Sequence, residues 1–150
     1  MTNRRLFVAI AAVAALGLAA APLEAAAEAA YGVVKPADVK WRPFDPKQPN
    51  GIQIGVLAGD PSKAGTFVIR VKFPAGSEVP SHLHSSAETI SVLSGRLLVA
   101  FGVKPDKASA AELGPGGFFW MKAGDHHQVW APVETIIDVT GRGPFDIHYD

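Results

Sequence analysis

The sequence predicts an all-β domain, a sandwich or barrel of short antiparallel strands. Three observations carry that expectation. The 15 Gly and 12 Pro residues are spread along all 150 positions, which disfavours long helices. Apolar residues alternate with polar ones over stretches of five to eight positions. Turn-forming clusters recur at intervals of roughly 8–12 residues, giving seven to nine strands with no internal repeat and no alternation of strand with helix.

Residues 1–27 read as an export signal ahead of the fold. Arg4 and Arg5 form a positive start, Leu6 to Ala21 is an uninterrupted apolar run, and Pro22 breaks it. Small residues from Ala25 to Ala30 then offer A-x-A cleavage sites, for example Ala25-Ala26-Ala27 before Glu28. The run is shorter than the ~20 residues a spanning helix needs, and alanine dominates it, so no stable membrane anchor is expected. The domain is therefore expected to be exported, to the periplasm or beyond. Removing residues 1–27 takes away Arg4, Arg5 and Glu24, which leaves 12 basic and 13 acidic side chains. A charge this close to neutral, without a Lys/Arg run, argues against nucleic acid as a partner. The absence of cysteine excludes disulfides, thiolate zinc sites, iron–sulfur clusters and a thiol nucleophile.

Residues 28–50 read as an extended arm. Pro36, Pro43, Pro46 and Pro49 exclude a regular helix or central strand, and Trp41 and Phe44 are its expected apolar contacts. The domain proper, 51–150, opens with a strand at Ile52–Ala58 and a turn at 59–65. In Thr66–Phe73 the residues Phe67, Ile69, Val71 and Phe73 share one face. Pro74-Ala75-Gly76 turns the chain, and Glu88–Leu93 and Arg96–Phe101 flank Ser94-Gly95. The polar loop 102–116 contains the only helix-permissive stretch, Asp106–Leu113. Phe118–Met121, His127–Ala131, Thr135–Thr140 and Phe145–Tyr149 complete the set. Expected core and lining residues are Phe67, Ile69, Val71, Phe73, Ile90, Val92, Val99, Phe101 and Val129.

The chemistry is expected from His82, His84, Glu88 and His127. Side chains on a strand alternate with period two. His82, His84 and Glu88 share even parity with Ile90 and Val92, whereas Thr89 and Ser91 occupy the opposite face. An extended chain would thus turn two imidazoles and a carboxylate inward with the core residues. A buried carboxylate without a partner is costly, and a divalent cation would remove that cost. On a strand the rings of His126 and His127 would point to opposite faces, which leaves one of the pair for the surface or an interface, and His148 is expected to be structural.

These residues stand in a pattern that resembles the cupin superfamily. Gly76, His82, His84, Glu88 and Gly95 match every fixed position of its first motif, and Gly116, Gly124 and His127 match its second. Lys122 replaces the motif's proline and Ala131 its asparagine. The resemblance covers about residues 51–150. It implies a cupin-type antiparallel jelly-roll β-barrel (a double-stranded β-helix) in which His82, His84, Glu88 and His127 bind one divalent transition metal. Iron, manganese, nickel or zinc would suit these ligands, and magnesium or calcium would not.

Three functional classes are compatible with the resemblance. The first is a dioxygenase-like oxidoreductase acting on a small oxygenated organic molecule, with Glu88 also a candidate catalytic proton acceptor. The second is a non-catalytic module that binds a metal or small molecule. The third is a metal-dependent decarboxylase or isomerase, for which Glu78 is the nearest spare carboxylate. The resemblance also implies a homodimer paired through an edge strand, and the proline-rich arm, which is expected to lie over the domain, could cross to the neighbour.

Overall fold

The computed structural model describes residues 31–45 and 50–150. The expected export signal, residues 1–27, lies outside the described residues. The compact unit runs from Gly32 to Asp150. Among the described residues no helix is long and apolar enough to cross a membrane.

Eleven strands form two antiparallel sheets among the described residues. They are β1 (Arg42–Pro43), β2 (Gln53–Ala58), β3 (Gly65–Phe73), β4 (Ser77–Leu83), β5 (Glu88–Ser94), β6 (Leu97–Phe101), β7 (Ala111–Leu113), β8 (Phe118–Met121), β9 (His127–Ala131), β10 (Thr135–Gly143) and β11 (His148–Tyr149). One sheet runs β1-β2-β3-β10-β5-β8 and the other β11-β4-β9-β6-β7. Strands that follow one another in the chain repeatedly land in opposite sheets, as a jelly roll requires.

Inward alternation builds the core. Phe67, Ile69, Val71 and Phe73 of β3 are each no more than 3% exposed. Ile90 and Val92 of β5, Val99 of β6 and Val129 of β9 are buried against them. Phe101 departs from expectation: it ends β6 and is 49% exposed. On the outer face Arg70 makes two hydrogen bonds, of 2.7 and 2.8 Å, to Asp138 directly opposite on β10.

Three segments differ from the sequence expectation. The arm contributes structure of its own: a 3-10 turn at Pro36–Asp38, a buried Val39, and β1 paired with β2. The helix-permissive stretch Asp106–Leu113 divides into a 3-10 turn at Lys107–Ser109 and strand β7. Its nucleus is Asp106, whose carboxylate accepts the Ala108 N–H, a local bond that favours a turn over a helix. Residues 77–83, between the expected Pro74-Ala75-Gly76 turn and the histidines, form strand β4 despite Pro80.

Proline fits there because β4 is bulged. Val79 pairs with Val129 and His82 with His127, so three steps on β4 oppose two on β9. The extra residue reverses parity, so Val79 and His82 both point inward. Glu78, on the other side of the bulge, faces outward and is exposed, with Gln128 Nε2 3.5 Å from its carboxylate. Parity counted without the bulge would have turned Glu78 toward the histidines; the structure puts it on the outside.

Candidate metal centre

His82 lies near the end of β4, His84 just beyond it, Glu88 opens β5 and His127 opens β9. Antiparallel pairing brings these strand ends to one end of the barrel, with His82 opposite His127 and Glu88 opposite Gly141. All four side chains are buried, each 5% exposed or less. One ring nitrogen from each of His82, His84 and His127 lies within 4.8 Å of the others, so the three could hold a metal ion. Glu88 Oε2 is 3.6 Å from His84 Nε2.

The backbone sets the tautomer of every ring. His82 Nδ1 faces Pro80 O at 2.6 Å, His127 Nδ1 faces Asp125 O at 3.2 Å, and His84 Nδ1 faces Asp146 O. A carbonyl oxygen can only accept, so each Nδ1–H donates and each Nε2 keeps its lone pair. Three imidazoles oriented by carbonyls, with three unprotonated nitrogens beside a carboxyl group, are a metal-ligand set with its outer support in place.

Electrostatics gives the same picture. Burial first, and the neighbouring His127 second, hold His82 down at about 3. Burial likewise lowers His127 to about 4 and lowers His84. Burial pushes Glu88 up to about 8, and the charge of Asp146 adds to the effect. Burial also opposes ionisation of Asp146, but hydrogen bonds from Ser85 and His148 together outweigh it and hold that carboxyl at about 2. Without an ion, the His84–Glu88 contact is therefore a neutral pair at pH 7. Among the described residues no cationic side chain compensates Glu88; a dication would.

The rest of the cavity is apolar. It has a volume of about 50 Å³, and around the histidines and Glu88 its walls come from β3, β4, β5, β8, β9 and β10, with Phe44 and Phe145 added. Gly141 makes room for the Phe67 ring, which a Cβ there would meet at 2.8 Å, and lies against Glu88, whose Cγ that Cβ would touch at 3.4 Å. Gly141, Phe145 and the carbonyl of Asp146 were not singled out from the sequence. A backbone carbonyl leaves no mark in sequence, whereas the glycine inside an alternating apolar strand was a signal available to be read.

The two departures from the motif have local explanations. Lys122, unlike a proline, carries an N–H, and it donates to Asp125 Oδ2 at 2.9 Å. That bond closes the turn in which Asp125 N donates to Lys122 O, and Gly124 N donates to His84 O at 2.9 Å. Ala131 is fully buried, and its carbonyl accepts the Gly76 N–H at 2.7 Å. His126 is half-buried, with Nδ1 2.8 Å from Asp150 Oδ1, and takes no part in the cluster. His148 Nε2 lies 3.2 Å from Asp146 Oδ2 on the rim.

Comparison with known proteins supplies the family. The family model for the ChrR cupin-like domain matches residues 29–146, so the match includes the arm. No curated protein matches the chain. The polyketide cyclase RemF from Streptomyces resistomycificus is similar in structure, with a TM-score of 0.66 and 18% identity over 79% of this chain and 84% of that one. An acetylacetone dioxygenase from Acinetobacter johnsonii is similar with a TM-score of 0.63 and 22% identity, over 79% and 78%. KdgF from Halomonas sp. follows with a TM-score of 0.58 and 22% identity, over 75% and 94%. At these identities the likeness establishes a common fold. With both histidine motifs folded to one end of a jelly-roll barrel and a family match running from residue 29 to residue 146, the chain belongs to the ChrR cupin-like family of the cupin superfamily.

Proposed function

We propose that the chain is an exported metal-binding protein in which His82, His84, Glu88 and His127 hold one divalent transition metal: iron, manganese, nickel or zinc. The observation that carries this reading is the tautomer-fixed trio of buried imidazoles beside a buried carboxyl group with no other charge partner. Export rests on the basic, apolar and small-residue pieces of residues 1–27.

The reaction proposed is that of a dioxygenase-like oxidoreductase acting on a small oxygenated organic molecule. Four protein ligands on a metal that prefers six would leave two positions for exchangeable oxygen ligands, and the ion would supply Lewis acidity and redox chemistry there. The chain's own residues do the rest. The apolar walls exclude water, the carbonyls of Pro80, Asp125 and Asp146 orient the imidazoles, and Glu88 is the one carboxyl group lining the cavity among the described residues, able to accept a proton once it has ionised. Similarity in fold to an acetylacetone dioxygenase is consistent with this reading.

A second reading, a non-catalytic module that holds a metal or a metal–ligand complex, is favoured because the described residues put no acid or base in the cavity besides the four proposed ligands. The same observation weakens a decarboxylase or isomerase, since Glu78 faces outward.

The test is anaerobic purification with elemental analysis, followed by oxygen-consumption assays on small diketones, with catechols and flavonols as larger comparisons. One redox-active ion per chain with turnover is expected. His82→Ala and His127→Ala should each lower metal affinity by about 10- to 100-fold or more. A wild-type chain that takes up no transition metal overturns the reading, and bound zinc without turnover selects the non-catalytic alternative.

A further inference from the structure

Every residue lining the cavity is buried except two, Phe44 and Phe145, which are half-buried and close the cavity toward solvent. The Phe145 ring stacks on His84 with centroids 5.3 Å apart and planes at 28°, and meets Phe67 and Phe44 edge-on at 5.6 and 6.4 Å. It is not a loose lid. The Phe145 N–H donates to Pro61 O at 2.7 Å, and the next residue, Asp146, uses its carbonyl on His84 and its carboxylate on the Ser85 N–H at 2.8 Å. The ring is therefore fixed by backbone bonds on both sides of it.

The walls also restrict what can enter. Among the described residues, no lining side chain outside the three histidines and Glu88 carries a charge or a strong hydrogen-bonding group. A ligand with polar groups at both ends would bury one end unpaired. The volume of about 50 Å³ is well short of the ~150 Å³ of an apolar cavity that accepts benzene.

We propose that the site takes a compact ligand with its oxygens at one end and a small apolar body, and that Phe145, backed by Phe44, is the specificity-determining residue that sets the upper size of that body. The proposal rests on the metal-binding reading above.

The test uses the full chain loaded with cobalt(II), whose visible spectrum reports ligand exchange without turnover, and three probes that share one bidentate head. They are acetohydroxamate (small body), benzohydroxamate (aromatic body) and N-hydroxysuccinamate (charged tail). Wild type should bind acetohydroxamate at least about tenfold more tightly than either of the others. Phe145→Ala should abolish the preference over benzohydroxamate, leave acetohydroxamate within about threefold, and retain the discrimination against the charged tail. Equal affinities in wild type, or an unchanged ratio in the variant, overturn the proposal while leaving the metal site standing. Failure of wild type to bind cobalt overturns both together. Phe145→Leu and Phe44→Ala guard against a folding defect. If Phe145→Ala loses cobalt and these two variants keep the wild-type ratio, the ring only supports His84 and the proposal falls.

Discussion

Glu88 sits where, among the described residues, no cationic side chain stabilises its charge, and that single fact has a measurable consequence. Burial, helped by Asp146, raises its carboxyl to about 8, while burial lowers His82 to about 3 and His127 to about 4. At pH 7 the metal-free site thus holds a protonated acid and neutral imidazoles. A cation must displace the Glu88 proton but meets an unprotonated Nε2 on each ring. Zinc uptake measured calorimetrically in buffers of different ionisation enthalpy should therefore release close to one proton per ion at pH 6–7. The release should fade as pH rises through about 8, where the empty site has already lost that proton. Glu88→Gln should release none at any of these values. A release that grew with pH, or that persisted in the variant, would place the proton elsewhere.

Elements explain which parts of the site could be read in the sequence. Parity along a strand was enough to turn Glu88, Ile90 and Val92 inward together, because β5 is regular over the paired stretch from Glu88 to Ser91. Parity failed at Glu78 because the extra residue in β4 is a property of its pairing with β9, and Pro80 disguised the strand itself. Phe101 failed for a different reason, as the last residue of β6 runs out beyond the core. The spacing of the motif glycines was legible, and one of them shows why the spacing is rigid. Gly95 has φ of +82°, and a Cβ there would lie 2.2 Å from Glu134 O and 2.7 Å from the Thr135 Cα. Both obstacles are backbone, and Thr135 is pinned: its hydroxyl accepts the Arg96 N–H at 3.0 Å and directs its one proton toward Arg96 O at 2.8 Å and Val133 O at 2.9 Å. Gly95→Ala should therefore lower unfolding free energy by about 2–4 kcal/mol in urea titrations. Gly76→Ala, with a similar φ but open space around it, should cost about 1 kcal/mol, the conformational part alone. Equal losses at the two positions would mean that contact with the Glu134–Thr135 backbone does not matter.

At the scale of the molecule, the four proposed ligands divide between the two sheets. His82 and His127 belong to the sheet that contains β4 and β9, with His84 one residue beyond β4, and Glu88 belongs to the sheet that contains β5. An ion held by all four would cross-link the layers at one end, in a domain that has no cysteine and must otherwise cohere by burial and backbone pairing. The link acts only in the folded state, because the unfolded chain does not hold these groups together. Stability should then follow free metal concentration, rising by about 2.7 kcal/mol at 100 times the dissociation constant relative to chelated protein. Any substitution that weakens the site tenfold should remove about 1.4 kcal/mol of that gain at fixed excess metal. Glu88→Gln is the sharpest case. It replaces a buried acid that is neutral in the empty site with a neutral amide of similar shape, so the chelated protein should melt close to wild type while the gain on adding metal shrinks. Chemical unfolding of both proteins across a zinc series would separate the two effects. Coincident curves at every zinc concentration would show that Glu88 contributes nothing to holding the ion, and would leave the three histidines of the β4–β9 layer as its only ligands.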